Sequence, residues 1–297
     1  MRILVTGGSG FIGRQCITGL ADSGHEVFGV YTRNSPVIHP CTWLQANLLD
    51  ESARISVLER VRPDVLVHLA WQADDYDDGV HLDWLAASLH LVRCFQQQGG
   101  KFLFTAGSSM EYAWEGEVCS ESRSRFNSST LYGHAKHALW KTVSEYCSRE
   151  SLAYCHGRIF FLYGPGQDRT RLVPAIVHSL LENKPFVCKS GHLYRDYLDV
   201  REVAAAINNL VLSECDGDFN IASGIATKIE DIVKQILARI DKTELVEFEL
   251  APVDESKDLK VVGEVEKIEA AIGCRPSFNL EKTINETIDW IEHNPTA

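Results

Sequence analysis

The sequence predicts a doubly wound parallel α/β sheet followed by a smaller C-terminal α+β domain. Three observations carry this fold class. A short apolar run, Ile3-Leu4-Val5, enters a glycine turn at Thr6-Gly7-Gly8-Ser9-Gly10-Phe11-Ile12-Gly13 and leaves it in a helix-like stretch. Strand-like and helix-like segments then alternate through the first half of the chain. After Tyr163-Gly164-Pro165-Gly166 that alternation loosens into shorter pieces.

Taken in order, Arg2–Thr6, Glu26–Tyr31, Thr42–Ala46, Val65–Ala70 and Lys101–Thr105 read as strands rich in β-branched and aromatic residues. Phe11–Ser23, Glu51–Val61 and Leu82–Gln97 read as the helices between them. Gly24 closes the first helix, Pro63-Asp64 precedes the fourth strand and Gly99-Gly100 stops the helix before the fifth. A long helix is expected over Ser129–Ser151 and a strand over Tyr154–Phe161. Farther on, Arg171–Asn183 and Glu230–Ile240 have helical spacing, while Phe186–Leu198 and Glu244–Leu250 suggest short strands. The expected organisation is a dinucleotide-binding part, residues 1–165 with about 196–222, and a substrate-binding cap, about 166–195 with 223–297.

With 297 residues, 45% of them hydrophobic, the chain can bury a large core. No apolar run approaches membrane-span length, and Gly7 and Gly8 break the early one, so no secretory segment is expected and a cytoplasmic location is. Nine cysteines, an odd number without paired spacing, read as reduced packing residues rather than a disulfide or metal framework. A net charge of −12 argues against a nucleic-acid surface. It leaves room for an anionic small ligand held by a few arginines.

The glycines satisfy both GxxGxxG, through Gly7, Gly10 and Gly13, and GxGxxG, through Gly8, Gly10 and Gly13. In a strand–turn–helix context they permit close approach of backbone to a pyrophosphate at a helix N-terminus. The end of the second strand, Val30-Tyr31-Thr32-Arg33, lacks the acid expected for a ribose 2′-hydroxyl. Arg33 offers a guanidinium to a 2′-phosphate, with the hydroxyls of Thr32 and Ser35 nearby, so NADP(H) is expected over NAD. Tyr132 and Lys136 stand at i and i+4 of the long helix, which places a phenol and an ammonium on one face. A free phenol has a pKa of about 10, so work near neutral pH requires about 4 kcal/mol of preferential phenolate stabilisation.

Together with the segment Thr105-Ala106-Gly107-Ser108-Ser109-Met110-Glu111-Tyr112, the His68-Leu69-Ala70 strand end and Arg195-Asp196-Tyr197, these motifs give the chain a resemblance to the extended short-chain dehydrogenase/reductase family. Its members mostly act on nucleotide-activated sugars through a Rossmann fold. The resemblance implies Tyr132 as general acid/base, Lys136 as the group that binds the nicotinamide ribose and lowers the phenol pKa, and Ser108, rather than Ser109, as the hydroxyl that orients the substrate oxygen. It implies cofactor contacts at Gly7, Gly10, Phe11, Ile12, Gly13, Thr32, Arg33, Asn47, Leu48, Leu69 and Ala70. Substrate contacts are implied at Ser108, Ser109, Glu111, Phe161, Arg171 and Arg195, with no metal.

Departures from the family separate reaction types. Dehydratases carry an Asp-Glu pair where this chain has Ser109 and Met110, which argues against elimination. Glu111 stands where the family usually has an aliphatic residue, and Phe161 where epimerases have an asparagine. The sequence is most similar to the branch that includes CDP-abequose synthase and related reductases of nucleotide-linked 4-keto-6-deoxyhexoses. Reduction of a keto group at carbon 4 of a nucleotide-diphosphate sugar is therefore expected, with an NAD-dependent 4-epimerase as the alternative. The family also implies a homodimer through Leu82–Gln97 and Ser129–Ser151. The acidic run Asp74-Asp75-Tyr76-Asp77-Asp78 reads as a solvated surface.

Overall fold

The computed structural model describes residues 1–33, 41–116, 118–249, 259–273, 275 and 279–295. Its centre is a seven-stranded, wholly parallel sheet. The strands are β1 (Arg2–Thr6), β2 (Glu26–Tyr31), β3 (Thr42–Gln45), β4 (Val65–His68), β5 (Phe102–Ser108), β7 (Ala153–Ile159) and β12 (Gly217–Ile221), and β6 (Val118–Cys119) lies outside it. Their order across the sheet is β12-β7-β5-β4-β1-β2-β3. The winding reverses between β1 and β4, and open parallel sheets bind ligands at the carboxyl ends of the strands at such a point.

Both faces of a parallel sheet need apolar cover. One face is covered by α1 (Phe11–Asp22), through Cys16, Ile17 and Leu20, and by α6 (Val200–Leu212), through Val203, Ile207 and Leu210. The other is covered by α2 (Glu51–Val61), α3 (Val80–Gln97) and α4 (Leu131–Glu150), which contribute Val57, Leu91, Phe95, Leu139 and Val143. Local chemistry sets the helix starts. Asp50 caps α2 by accepting from Ala53 N–H at 2.9 Å, and the Thr130 hydroxyl caps α4 by accepting from Gly133 N–H at 3.1 Å.

The strand expected over Tyr154–Phe161 is two strands. After Ile159 the chain leaves its neighbour β5. Phe160 N–H donates to Ile221 and Phe161 N–H to Asp196, and the chain re-forms as β8 (Phe161–Tyr163). The segment Phe186–Leu198 is three pieces, β9 (Phe186–Cys188), β10 (Tyr194–Arg195) and β11 (Tyr197–Asp199), the first two parted by a turn that Leu193 N–H closes onto Ser190. Strand β8 pairs with β11, β9 pairs with β14 (Val246–Phe248), and β13 (Thr227–Lys228), β10, β15 (Lys260–Gly263) and β6 form a small mixed sheet. The last residue of the expected Glu244–Leu250 strand lies outside the described residues. A separate core gathers α5 (Leu172–Leu181), α7 (Ile229–Arg239) and α9 (Leu280–His293) around Ile176, Ile232, Val233, Ile284 and Ile288, and α8 (Glu266–Ile272) packs against α6 and β12. Among the described residues, no helix is long and apolar enough to cross a membrane.

One carboxylate ties the small sheet to the large one. Asp196 is fully buried and accepts from Ser223 N–H at 2.7 Å, Ser223 Oγ at 2.6 Å, Gly224 N–H at 2.8 Å and Gly263 N–H at 3.1 Å. Asp196→Ala strands two buried amides, a half-buried one and a buried hydroxyl, and each stranded buried group costs on the order of 1–3 kcal/mol. Urea unfolding should show a loss of at least about 3 kcal/mol; a midpoint within error of wild type would show that the tie carries no stability.

Candidate active site

The glycine turn is built by steric exclusion. Gly7 adopts φ of 66°, and a Cβ there would stand 2.8 Å from the Ala70 nitrogen. A Cβ on Gly13 would stand 2.2 Å from the Gly7 carbonyl oxygen. The first glycine lets the end of β1 pass against the exit of β4, and the second lets α1 rest on the turn. Thr6 Oγ1 braces the same junction, 2.7 Å from His68 Nδ1 and 3.3 Å from the donor Ala70 N–H, while Ser88 Oγ holds the far side of His68 at 2.8 Å. Burial drives the His68 pKa down to about 3, so this histidine is neutral.

A cleft opens at the turn. Of the residues expected to hold a cofactor, Gly7, Gly10, Thr32, Leu48 and Ala70 line it. Phe11, Ile12 and Gly13 stand in the first turn of α1, whose cap residue Gly10 lines the cleft and offers no side-chain acceptor to their amides. This donor set and the Cβ-free approach fit a dinucleotide diphosphate. Leu69 adjoins the cleft, and Asn47 Oδ1 is turned to accept from Leu49 N–H at 3.1 Å. Arg33 follows Thr32 directly and is exposed, and Ser35 lies outside the described residues. Sequence reasoning missed Trp71 and Trp84, two lining rings stacked at 6.2 Å between centroids. Trp71 could have been found, because it directly follows His68-Leu69-Ala70.

The reactive groups converge on the end of β5. Ser108 is the last residue of that strand, and its hydroxyl accepts from Met110 N–H at 3.2 Å. Helix α4 lies over the strand, with Lys136 Nζ donating to the Ala106 carbonyl at 2.9 Å and sitting 4.0 Å above the Trp71 ring. Tyr132, one turn earlier, has its ring 5.8 Å from Lys136 Nζ. Burial pushes the phenol pKa up, and the hydrogen bond from Ser108 pulls it back. Burial pushes the Lys136 ammonium down to about 7, opposed by the charge of Glu111. In the protein alone, Ser108 is the group that lowers the phenol pKa most. Ser109 is buried, and its carbonyl accepts from Trp114 Nε1 at 2.9 Å.

One further expectation changes. Glu111 does not reach a substrate: it is fully buried, with its oxygens on the Ser108 amide, His156 and Arg158. Arg171 donates from Nη1 to Tyr76 Oη at 2.9 Å and from Nη2 to the Ala73 carbonyl at 2.7 Å. The acidic run is more than solvated surface. Asp77 Oδ1 accepts from Leu131 N–H at 3.0 Å and the Tyr76 carbonyl from Tyr132 N–H at 2.8 Å, so this loop caps α4. Arg195 and Phe161 do come together. The Arg195 guanidinium lies 5.4 Å from the Trp114 ring and 5.5 Å from the Phe161 ring.

Residues 3–222 match the family model described as the NAD dependent epimerase/dehydratase family. The chain is 28% identical to a GDP-6-deoxy-D-talose 4-dehydrogenase of Aggregatibacter actinomycetemcomitans, over 81% of this chain and 80% of that one. It is 23% identical to a dTDP-6-deoxy-L-talose 4-dehydrogenase (NAD(+)) of the same organism, over 80% of this chain and 90% of that one. Among solved structures it superposes on the UDP-glucose 4-epimerase of Thermus thermophilus in complex with NAD, with a TM-score of 0.87 and 25% identity, over 98% of this chain and 99% of that one. The family match runs from the first strand through the last strand of the parallel sheet, and the chain belongs to the NAD dependent epimerase/dehydratase family.

Proposed function

We propose that this enzyme uses NADPH to reduce a keto group at carbon 4 of a nucleotide-diphosphate-linked deoxysugar, with Tyr132 as the general acid. The observation that carries the reading is the convergence of Ser108, Tyr132 and Lys136 at the end of β5, beside a cleft suited to a dinucleotide. Bound there, the nicotinamide would supply hydride to the keto carbon. Tyr132 Oη gives its proton to the developing alkoxide, and Ser108 Oγ donates a hydrogen bond that stabilises the oxygen as charge builds. Lys136, held as a cation against the Ala106 carbonyl, stabilises the phenolate left behind.

Two relatives support carbon 4, since a 6-deoxyhexose 4-dehydrogenase joins the same alcohol and ketone in the opposite direction. Ser109 and Met110 hold the places of the dehydratase carboxylates and cannot exchange protons at neutral pH, which disfavours elimination. The name of the L-talose relative carries NAD(+). In this chain Tyr31-Thr32-Arg33 places no carboxylate at the end of β2 and an exposed guanidinium just past it, which favours NADPH. We assign residues 1–165 with about 196–222 to the cofactor and about 166–195 with 223–297 to the nucleotide sugar, with Arg195 and Phe161 on the sugar side, in a homodimer formed through α3 and α4. Likeness to UDP-glucose 4-epimerase supports a second reading, a 4-epimerase that oxidises and re-reduces one carbon with retained NAD.

Tyr132→Phe should bind NADPH as wild type does and lose about 10²–10⁴-fold in kcat, the range of a general acid; near wild-type turnover would remove Tyr132 from the chemistry. Nicotinamide fluorescence titration should give a dissociation constant at least tenfold lower for NADPH than for NADH, about 1.4 kcal/mol, and Arg33→Ala should erase most of that difference. A preference for NADH would favour the epimerase.

A further inference from the structure

Glu111 is taken out of substrate contact by its burial, yet it is the best-connected charge beneath the site. It ends the single 3-10 turn Ser109–Glu111 that follows β5. Oε1 accepts from the Ser108 amide at 2.8 Å and lies 3.1 Å from His156 Nε2, while Oε2 accepts from Arg158 Nε at 3.0 Å. All three side chains are fully buried. Burial pushes the carboxyl pKa up, but His156, Arg158 and the Ser108 amide outweigh it and hold Glu111 ionised. Burial lowers the His156 pKa, so the ring is neutral.

The proton positions follow. A carboxylate only accepts, so His156 carries its proton on Nε2 and accepts at Nδ1. Thr105 Oγ1 lies 2.7 Å from that Nδ1 and 2.7 Å from Tyr154 Oη. Donation therefore runs from Tyr154 to Thr105 to His156 and ends on Glu111. Arg158 also pairs with Asp218, and its guanidinium lies 4.6 Å from the Phe126 ring and 4.5 Å from the Trp140 ring. An aliphatic residue at position 111 would fill this space without accepting a proton or balancing a charge.

Two contacts lead from this network to the chemistry. One is the hydrogen bond that fixes the Ser108 amide. The other is proximity to Lys136: a Cβ on Gly107 would stand 2.4 Å from Glu111 Oε1 and 2.2 Å from His156 Nε2, so the carboxylate rests against the strand whose Ala106 carbonyl holds the Lys136 ammonium. The groups facing Lys136 are the neutral His68 on β4, the neutral His156 on β7, the Trp71 ring, Tyr132 on its own helix and Glu111 from the turn. Among these described residues Glu111 is the anion.

We propose that Glu111 is a positioning residue of the reaction: it fixes the Ser108 segment through its backbone amide and provides the buried negative charge that keeps Lys136 an ammonium beside Tyr132. This rests on the roles given above to Ser108, Tyr132 and Lys136.

The test compares wild type with Glu111→Gln and with the double variant Glu111→Met/Arg158→Met, since replacing a buried ion pair by apolar groups of similar volume is often neutral for folding. Lys136 is titrated by NMR in protein carrying ¹³Cε-lysine, its signal assigned with Lys136→Met, which requires no substrate. In Glu111→Gln the Lys136 midpoint should fall enough to cut the ammonium-to-amine ratio tenfold at a fixed pH, and in the double variant, which also removes the opposing Arg158 charge, it should fall by a smaller amount. With a nucleotide-linked 4-keto-6-deoxyhexose at pH 7, kcat should fall at least tenfold while KM and the NADPH dissociation constant change less than threefold. An unchanged Lys136 midpoint, or an unchanged kcat, in a folded variant overturns the proposal. If wild type reduces no 4-keto sugar, the functional reading fails, and the NMR titration still decides whether Glu111 holds the Lys136 charge.

Discussion

A buried ammonium must find an acceptor, and Lys136 finds the carbonyl of Ala106 in the middle of the sheet. That bond fixes how α4 is rotated over β5. With the helix so rotated, Tyr132 stands one turn back along the same face and its phenol meets the Ser108 hydroxyl. The loop after β4 then becomes the wall of the site rather than a mere connection. Trp71 covers the ammonium, Tyr76 lies 5.4 Å from the Tyr132 ring, and Asp77 caps the helix. Arg171, at the start of α5, hydrogen-bonds that loop, so α4 is tied through it to α5.

The parallel sheet supplies the rest of the geometry. Because the winding reverses between β1 and β4, the ends of β1, β2 and β4 part and leave a cleft. Gly7 and Gly13 bring backbone, not side chains, to its floor. The cleft lies next to the end of β5, so a cofactor in it and a substrate over Ser108 would meet at Tyr132. Hydride and proton can then approach one carbonyl from defined directions, which is what a ketoreductase requires.

Much of this was legible in the chain. Strands β1 to β5 and helices α1 to α4 are long enough for periodicity to declare them, and their ends are marked by Gly24, Pro63 and Gly99-Gly100. The chain after Tyr163 was less legible, because β10, β11 and β13 are two or three residues long and owe their existence to partners far along the chain. At the site, Ser108, Tyr132 and Lys136 could be read from their types and spacing. Glu111 could not: its neighbours His156 and Arg158 come from β7, and only pairing of β5 with β7 brings them together.

The central claim is net hydride transfer to a sugar carbon with Tyr132 supplying the proton. It is tested most directly with NADPH deuterated at the transferring position of the nicotinamide and a nucleotide-linked 4-keto-6-deoxyhexose, followed by mass spectrometry and NMR of the sugar. The account predicts one deuterium at carbon 4 for every NADP⁺ formed. A ketone recovered without deuterium at that carbon and with no oxidation of NADPH would contradict it, and interconversion of a 4-hydroxyl nucleotide sugar with its carbon-4 epimer without added cofactor would assign the site to epimerisation.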